Sequence, residues 1–467
     1  MMHRDLQRAD IVRSPKLTFL LAALVGAVQG SLLLNALPAI LDSTARIIFQ
    51  DSAYLLLIAC VWKLGGANLK RWFLSPISAT CVLFLSIDII FQVFHGLTSG
   101  EFSQFAVFRE ARLLIYFLLT MICFGSVKYW AVRDPSAVAL QVLFVFAGIG
   151  AIIYMILATQ VVYSEDNLNF FASKQNAIDA GFGHAFHDKF KSPTIMVSFL
   201  SAYFMALIVS PISSRSFIGR PYSRALQLVA LAGVVGISLS SNTRSLLVAC
   251  LVGIAIPLIT EAARLISIKR LRQRIFLRSV TLLILASALI FTSISILQNS
   301  DEKFTEQVLN KGFLVDQSDT GRINAVTRAA TFDFTNPIGF GVGAGSNYVE
   351  LTSAWMNPID SGIFHAIVTL GYQFLIPYLV LHGIALVCAF SNSVHRSNDR
   401  LDFSLRSGLS AGLVTSLLSF YQASPLLFPA DAMLTGAALG ASISICRNRR
   451  SANPRPLHKS QLPTASF

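Results

Sequence analysis

The chain has 467 residues, of which 54% are hydrophobic and only 13% charged, with a formal net charge of +13 and a mean hydropathy of +0.62. Soluble domains are roughly 45–50% apolar, so this chain has too little polar surface to cover itself in water. A soluble globular protein is excluded, and a nucleic-acid partner is not expected, because the positive charge is sorted along the chain by side of a membrane.

Apolar windows of about 17 to 25 residues recur over the whole length, and each is long enough to cross a hydrocarbon core of roughly 30 Å as a helix. The first spans are expected near Leu17 to Leu37, Ile47 to Leu64, Phe73 to Phe94 and Ala111 to Trp130. Next come Ala137 to Val161, Thr194 to Ser210, Ala225 to Leu239 and Ser245 to Thr260. The last four are Phe276 to Leu297, Gly362 to Phe390, Gly408 to Phe428 and Ala432 to Cys446. The fold class expected is all-α: a polytopic integral membrane protein of about 12 transmembrane helices over residues 17–446. The first apolar run is too long for the h-region of a cleavable signal and reads as a retained helix. The six cysteines fall inside or at the ends of apolar spans, where a thiol behaves as a small hydrophobe. They offer no disulfide framework and no metal motif.

With the amino terminus inside, about 26 of the 37 Lys and Arg residues fall on the same side as residues 1–16. The carriers are Arg4, Arg8, Arg13 and Lys16, then Lys63, Lys70 and Arg71, then Arg215, Arg220 and Arg224. Arg264 through Arg278 and the cluster Arg447, Arg449 and Arg450 complete the set. They read as topological anchors that also meet anionic lipid headgroups, and they place both termini in the cytoplasm. Residues 447–467 read as a polar, disordered cytoplasmic tail.

Two outer connections are long, residues 162–193 and residues 298–361, the larger one lying just before the tenth helix. Long loops in a compact protein are usually functional, so chemistry is expected on the non-cytoplasmic face. The shorter loop holds His184 and His187 as an H-x-x-H with Asp179 and Asp188 nearby, a weak metal signal without a matching ligand set. In the larger loop, Thr320-Gly321 opens a helix over Arg322 to Phe332. Its Ile323, Val326, Ala329 and Ala330 share one side, suiting a segment that lies on the membrane surface. Asn336-Pro337 ends it, and the run from Gly339 to Ser346 follows with Gly341, Gly343 and Gly345. Such glycines permit positive φ and close backbone approach, as a phosphate-cradling turn requires and as a plain hinge also uses.

Arg244 stands at the start of the eighth span after Ser240-Ser241-Asn242-Thr243, a run able to cap that helix. A guanidinium beside the positive end of a helix dipole is unfavourable unless an anion is shared between them, and a phosphate suits that place. The alternative is an Arg reaching to lipid headgroups. Arg322 and Arg328 on the surface helix have the same two readings. Asp360, at the outer end of the tenth span, can cap that helix or take a proton from an incoming hydroxyl. His365 lies roughly 7.5 Å deeper on the same helix, where it can serve as a buried hydrogen-bonding residue or in catalysis. Asp88 is a further intramembrane ionisable group.

Three pieces together resemble the bacterial O-antigen ligase and polysaccharide polymerase family. They are Ser241-Asn242-Thr243-Arg244-Ser245 entering a helix; Gly321-Arg322, a helix, then Asn336-Pro337-Ile338-Gly339 and Gly341-Val342-Gly343; and Asp360-Ser361, nine residues and Gly371. Ligases of this family carry a His-Asn-like pair where this chain has Asp360-Ser361, and that departure favours a repeat-unit polymerase over a ligase acting on lipid A core. The resemblance covers mainly Ser240 to Pro377.

It implies a GT-C-like membrane glycosyltransferase in the bacterial cytoplasmic (inner) membrane. Such an enzyme transfers a polyprenyl-diphosphate-linked oligosaccharide to an acceptor sugar at the outer face, without metal or cofactor. Arg244 and Arg322 would hold the diphosphate, with Arg328, Gly341 and Gly343 also lining the substrate, and Asp360 or His365 would accept the hydroxyl proton. Membrane lipids, a chain-length regulator and a flippase of the same assembly system are the partners implied. A polysaccharide-lipid transporter is the competing reading from another class, and a non-catalytic assembly scaffold a third.

Overall fold

The computed structural model describes residues 16–28, 43–64, 66–99, 104–127, 135–163, 194–214, 221–240, 244–266, 338–344, 362–394, 400–420 and 429–452. These residues form α-helices in the order α1 (Lys16–Val28), α2 (Ser43–Leu64), α3 (Pro76–Thr98), α4 (Gln104–Ser126), α5 (Pro135–Tyr163) and α6 (Thr194–Ser214). There follow α7 (Pro221–Ser240), α8 (Arg244–Ile266), α9 (Gly362–Leu370), α10 (Tyr372–Val394), α11 (Arg400–Phe420) and α12 (Pro429–Ala452). A 3-10 turn, Leu69–Leu74, joins α2 to α3. The expected ninth span, Phe276 to Leu297, and the surface helix Arg322 to Phe332 lie outside the described residues. The tail expected from residue 447 opens as helix, since α12 continues to Ala452.

Helix α3 identifies its solvent. It starts on Pro76, whose fixed φ and missing N–H cost nothing in a first turn. Leu83, Phe84, Ile87, Ile90, Phe91 and Phe94 are exposed, whereas Ser78, Asp88 and Gln92 are buried. A helix in water shows the reverse pattern. Apolar residues outward and polar residues inward are favourable only where the surroundings are hydrocarbon. Among the described residues three helices are long and apolar enough to cross a membrane, Pro76–Thr98, Ser136–Ile153 and Tyr372–Phe390, and five others are shorter and apolar. The protein is thus all-α and multi-helical, with long apolar helices consistent with a membrane protein.

Helix α12 is built differently, for residues 430–445 are all buried. A Cβ on Gly436 would meet Phe117 O and Thr120 Oγ1, and one on Gly440 would meet Met121 O and Gly125 N. Small residues four apart let the α12 and α4 backbones touch, the packing that replaces the hydrophobic effect between helices in lipid.

The contacts also fix directions. Gly436 and Gly440 of α12 meet Phe117 and Met121 of α4 in ascending order, so the two helices are parallel. Tyr54 bonds Tyr116 O and Ile58 O accepts from Cys123, which makes α2 parallel to α4. Glu110 and Phe117 of α4 meet His365 and Tyr378, so α9 and α10 run the same way. Gly408 and Gly412 of α11 meet Tyr203 and Phe199 of α6, an antiparallel pair. Phe420 against Tyr378 sets α11 antiparallel to α10 and so α6 parallel to α10. Six residues separate α6 from α7 and three separate α7 from α8, too few to run the length of a helix, so each of these is an antiparallel pair. It follows that α8 points the same way as α10. Ile266 and Gly362 therefore lie at opposite ends of the bundle, while Arg244 and Gly362 share one.

One expected span is corrected. The stretch from Gly362 to Phe390 is not a single helix but breaks at Gly371, which has φ +76°. A break frees the carbonyls that the next turn would have used, and buried in a bundle each needs a donor. All three find one: Phe340 N–H donates to Val368 O at 2.8 Å, Gly341 N–H to Thr369 O at 3.1 Å, and the Gln92 side-chain amide to Leu370 O at 3.2 Å. The break thus exists together with the segment that docks on it.

Candidate functional site

Residues 338–344 dock on the last turns of α3, near the start of α4 and on the end of α9 at Gly371. Gly339 and Gly341 have φ +81° and +97°, values that L side chains rarely adopt. A Cβ on Gly339 would stand 2.8 Å from Gly371 N, and one on Gly341 would stand 2.8 Å from Gly96 N. The run is therefore pressed backbone to backbone against both helices. Val342 N–H donates to Gln92 O at 3.1 Å, and Ile338 O accepts from the amides of Gln92 at 2.6 Å and Gln373 at 2.9 Å. The N–H groups of Phe340, Gly341, Val342 and Gly343 are each engaged by a protein acceptor. In this arrangement the run is a docked strap, not an open phosphate cradle, and Gly341 and Gly343 act through packing and backbone bonds.

Under the strap lies a charged residue that the sequence reading passed over. Glu110, in the second turn of α4, is 6% exposed. One carboxylate oxygen accepts from Gly343 N–H, and the other lies 3.3 Å from His365 Nε2. His365 itself is 3% exposed, and its Nδ1 has no hydrogen-bond partner among the described residues. A sequence signal for Glu110 existed. Ala106, Val107, Glu110, Leu113, Leu114 and Phe117 share the buried helical register of α4, whereas Arg109 is exposed. The expected span began at Ala111, which left the acid in a loop; α4 begins at Gln104 instead.

Two neighbouring groups complete this end. Asp88 is buried with Gln92 and Gln373 beside it, and its Oδ2 has no hydrogen-bond partner among the described residues. Arg112 Nε donates to Asp51 Oδ1 at 2.7 Å, its guanidinium also bonds Gln50, and the Tyr116 hydroxyl donates to Asp51. Arg112 is thereby committed to bracing α4 against α2.

Of the residues expected in the site, Gly341, Gly343 and His365 are brought onto the same few groups. Arg244 begins α8 at the same end of the bundle as the start of α9; its side chain is outside the described set. Arg322, Arg328, Asp360, His184 and His187 also lie outside it. No protein-family model matches the chain, and no curated protein matches it.

Proposed function

We propose that the protein is a polysaccharide repeat-unit polymerase of the bacterial cytoplasmic membrane. It transfers a glycan from a polyprenyl diphosphate to an acceptor sugar at the outer face. One observation carries this reading: the start of α8 at Arg244, the docked glycine run and α9, whose first residue follows Asp360 by two positions in the sequence, belong to one end of the bundle. These are the three pieces on which the family resemblance rests, and they are far apart in sequence. Lys63 and Lys70 lie toward the opposite end, and the positive-inside rule then turns the shared end outward.

In this reading Arg244 and Arg322 hold the diphosphate and stabilise the charge that develops on it as the sugar C1–O bond breaks. Asp360 takes the proton of the acceptor hydroxyl. His365, closed in beneath the strap and paired with Glu110, positions the start of α9. The test is made in cells lacking the native copy and complemented with variants. Arg244→Ala, Arg322→Ala and Asp360→Asn should each abolish polymer, and Asp360→Asn should accumulate lipid-linked single repeat units. Protein abundance should stay near normal, and His365→Gln should retain some polymer. Lys at either Arg position should rescue poorly, because an ammonium cannot bind a diphosphate in a bidentate way. Normal polymer from both Arg→Ala variants would remove the enzyme reading.

The break at Gly371 beside buried Asp88 favours a second reading, transport of a lipid-linked glycan, since transporters place substrates at discontinuous helices. Lipid-linked repeat units trapped on the inner face in the Arg→Ala variants would select it.

A further inference from the structure

We infer that Glu110 is a positioning residue of this site, a single carboxylate that holds the glycine run and α9 in place relative to each other and fixes the proton of His365 on Nε2. The inference builds on the polymerase reading for its activity arm alone; its structural arm stands without it.

The geometry is specific. An ionised carboxyl accepts hydrogen bonds at both oxygens and donates none. Gly343 N–H occupies one oxygen, and the nitrogen facing the other is His365 Nε2. Facing a carboxylate oxygen, that nitrogen carries a hydrogen, and in a neutral imidazole Nδ1 is then the lone-pair nitrogen. The assignment agrees with the burial of Nδ1 away from any acceptor among the described residues, because a buried N–H without an acceptor is costly and an unused lone pair is cheaper. Gly343 belongs to the chain before the start of α9, and His365 to the helix itself. One side chain from α4 thus sets the spacing between two segments that sequence separates by the 345–361 stretch. Asp360, the base of the proposed reaction, precedes α9 by two positions in the sequence.

Substitution by Gln separates this role from simple loss of structure. Glu110→Gln retains one oxygen, which can still accept from Gly343 N–H. Its NH2 can meet His365 only if the imidazole moves its hydrogen to Nδ1 and offers Nε2 as the acceptor. Both attachments survive, and the tautomer inverts. Glu110→Ala leaves both donors unpaired.

The experiment uses the full-length protein with 15N-labelled histidine in lipid bilayers, the His365 signal being assigned by its loss in His365→Gln. Solid-state NMR should place the hydrogen on Nε2 in the native chain and on Nδ1 in Glu110→Gln. In complemented cells, Glu110→Ala should lower polymer formation by about 10²-fold, the scale of a misplaced site. Glu110→Gln should recover to within about tenfold of native at equal protein abundance. A native His365 protonated on Nδ1, or no change in Glu110→Gln, overturns the pairing. Native polymer levels from Glu110→Ala overturn the positioning role. Should Glu110→Ala fail to insert, Glu110→Gln with the inverted tautomer but activity as low as a null strain also overturns it. A native chain that makes no polymer, with the tautomers as stated, rejects the polymerase reading and leaves the pairing intact.

Discussion

Glycine does different work at two contact regions. Between α12 and α4, Gly436 and Gly440 sit inside regular helix and serve by size, since a Cβ at either would strike the α4 backbone. In the docked run, Gly339 and Gly341 serve by size and by conformation, each holding a positive φ while pressed on a neighbouring backbone. The first region joins two complete helices whose hydrogen bonds are internal. The second joins a broken helix to a strap, and each makes good the other's unsatisfied groups. Close approach in the first is a matter of fold, and in the second it shapes the candidate site.

The largest effect should come from Gly440→Val. The atoms in its way, Met121 O and Gly125 N, are backbone and cannot rotate aside, so α12 must leave α4. Overpacking of this kind costs roughly 1–3 kcal/mol or more. The expected outcome is a marked loss of detergent-stable protein in a thermal size-exclusion assay; a native melting profile would show that this contact is not tight.

A smaller effect on stability and a large one on activity should follow from Gly341→Val. A branched residue at φ +97° is strained, by roughly 1–3 kcal/mol, and its Cβ would stand 2.8 Å from Gly96 N. The helices also pack through contacts the strap does not make, so abundance should hold, and on the proposed polymerase reading polymer should fall by about 10²-fold, as a displaced site requires. If Gly341→Val and Gly440→Val give the same profile, the distinction between a fold contact and a site contact fails.

The least effect is expected from Gly383→Ala on α10, where a Cβ would meet nothing within 4 Å. Ala is favoured over Gly in a helix interior by about 1 kcal/mol, so stability should be equal or slightly higher and polymer unchanged. A loss here would point to a partner covering that face.

Much of the fold was legible in order and type because a lipid-facing helix must be apolar along its length, as α3 and α5 are. Helix α12 gave a weak signal for a physical reason. It is enclosed by protein, where Ala, Gly and Ser pack better than large apolar residues, so its apolar run from Ala432 to Cys446 reads as short. Gly371 was visible as a residue and was used in the family spacing. That it breaks the helix was not legible, because a glycine is tolerated in such helices unless something docks against it. Glu110 was hidden by a boundary placed at Ala111, although its helical register with Val107, Leu114 and Phe117 marks it as inward-facing.

The sequence by itself determined that the chain is a string of apolar helices, since the cost of polar groups in hydrocarbon acts locally along the chain. Tertiary structure alone decided which polar groups meet. The carbonyls freed at Gly371, the amides of the glycine run, Gln92, Glu110 and His365 come from four separate stretches of the chain. Each is unsatisfied in its own segment, and the demand that buried donors and acceptors be paired brings them together only when the helices have packed.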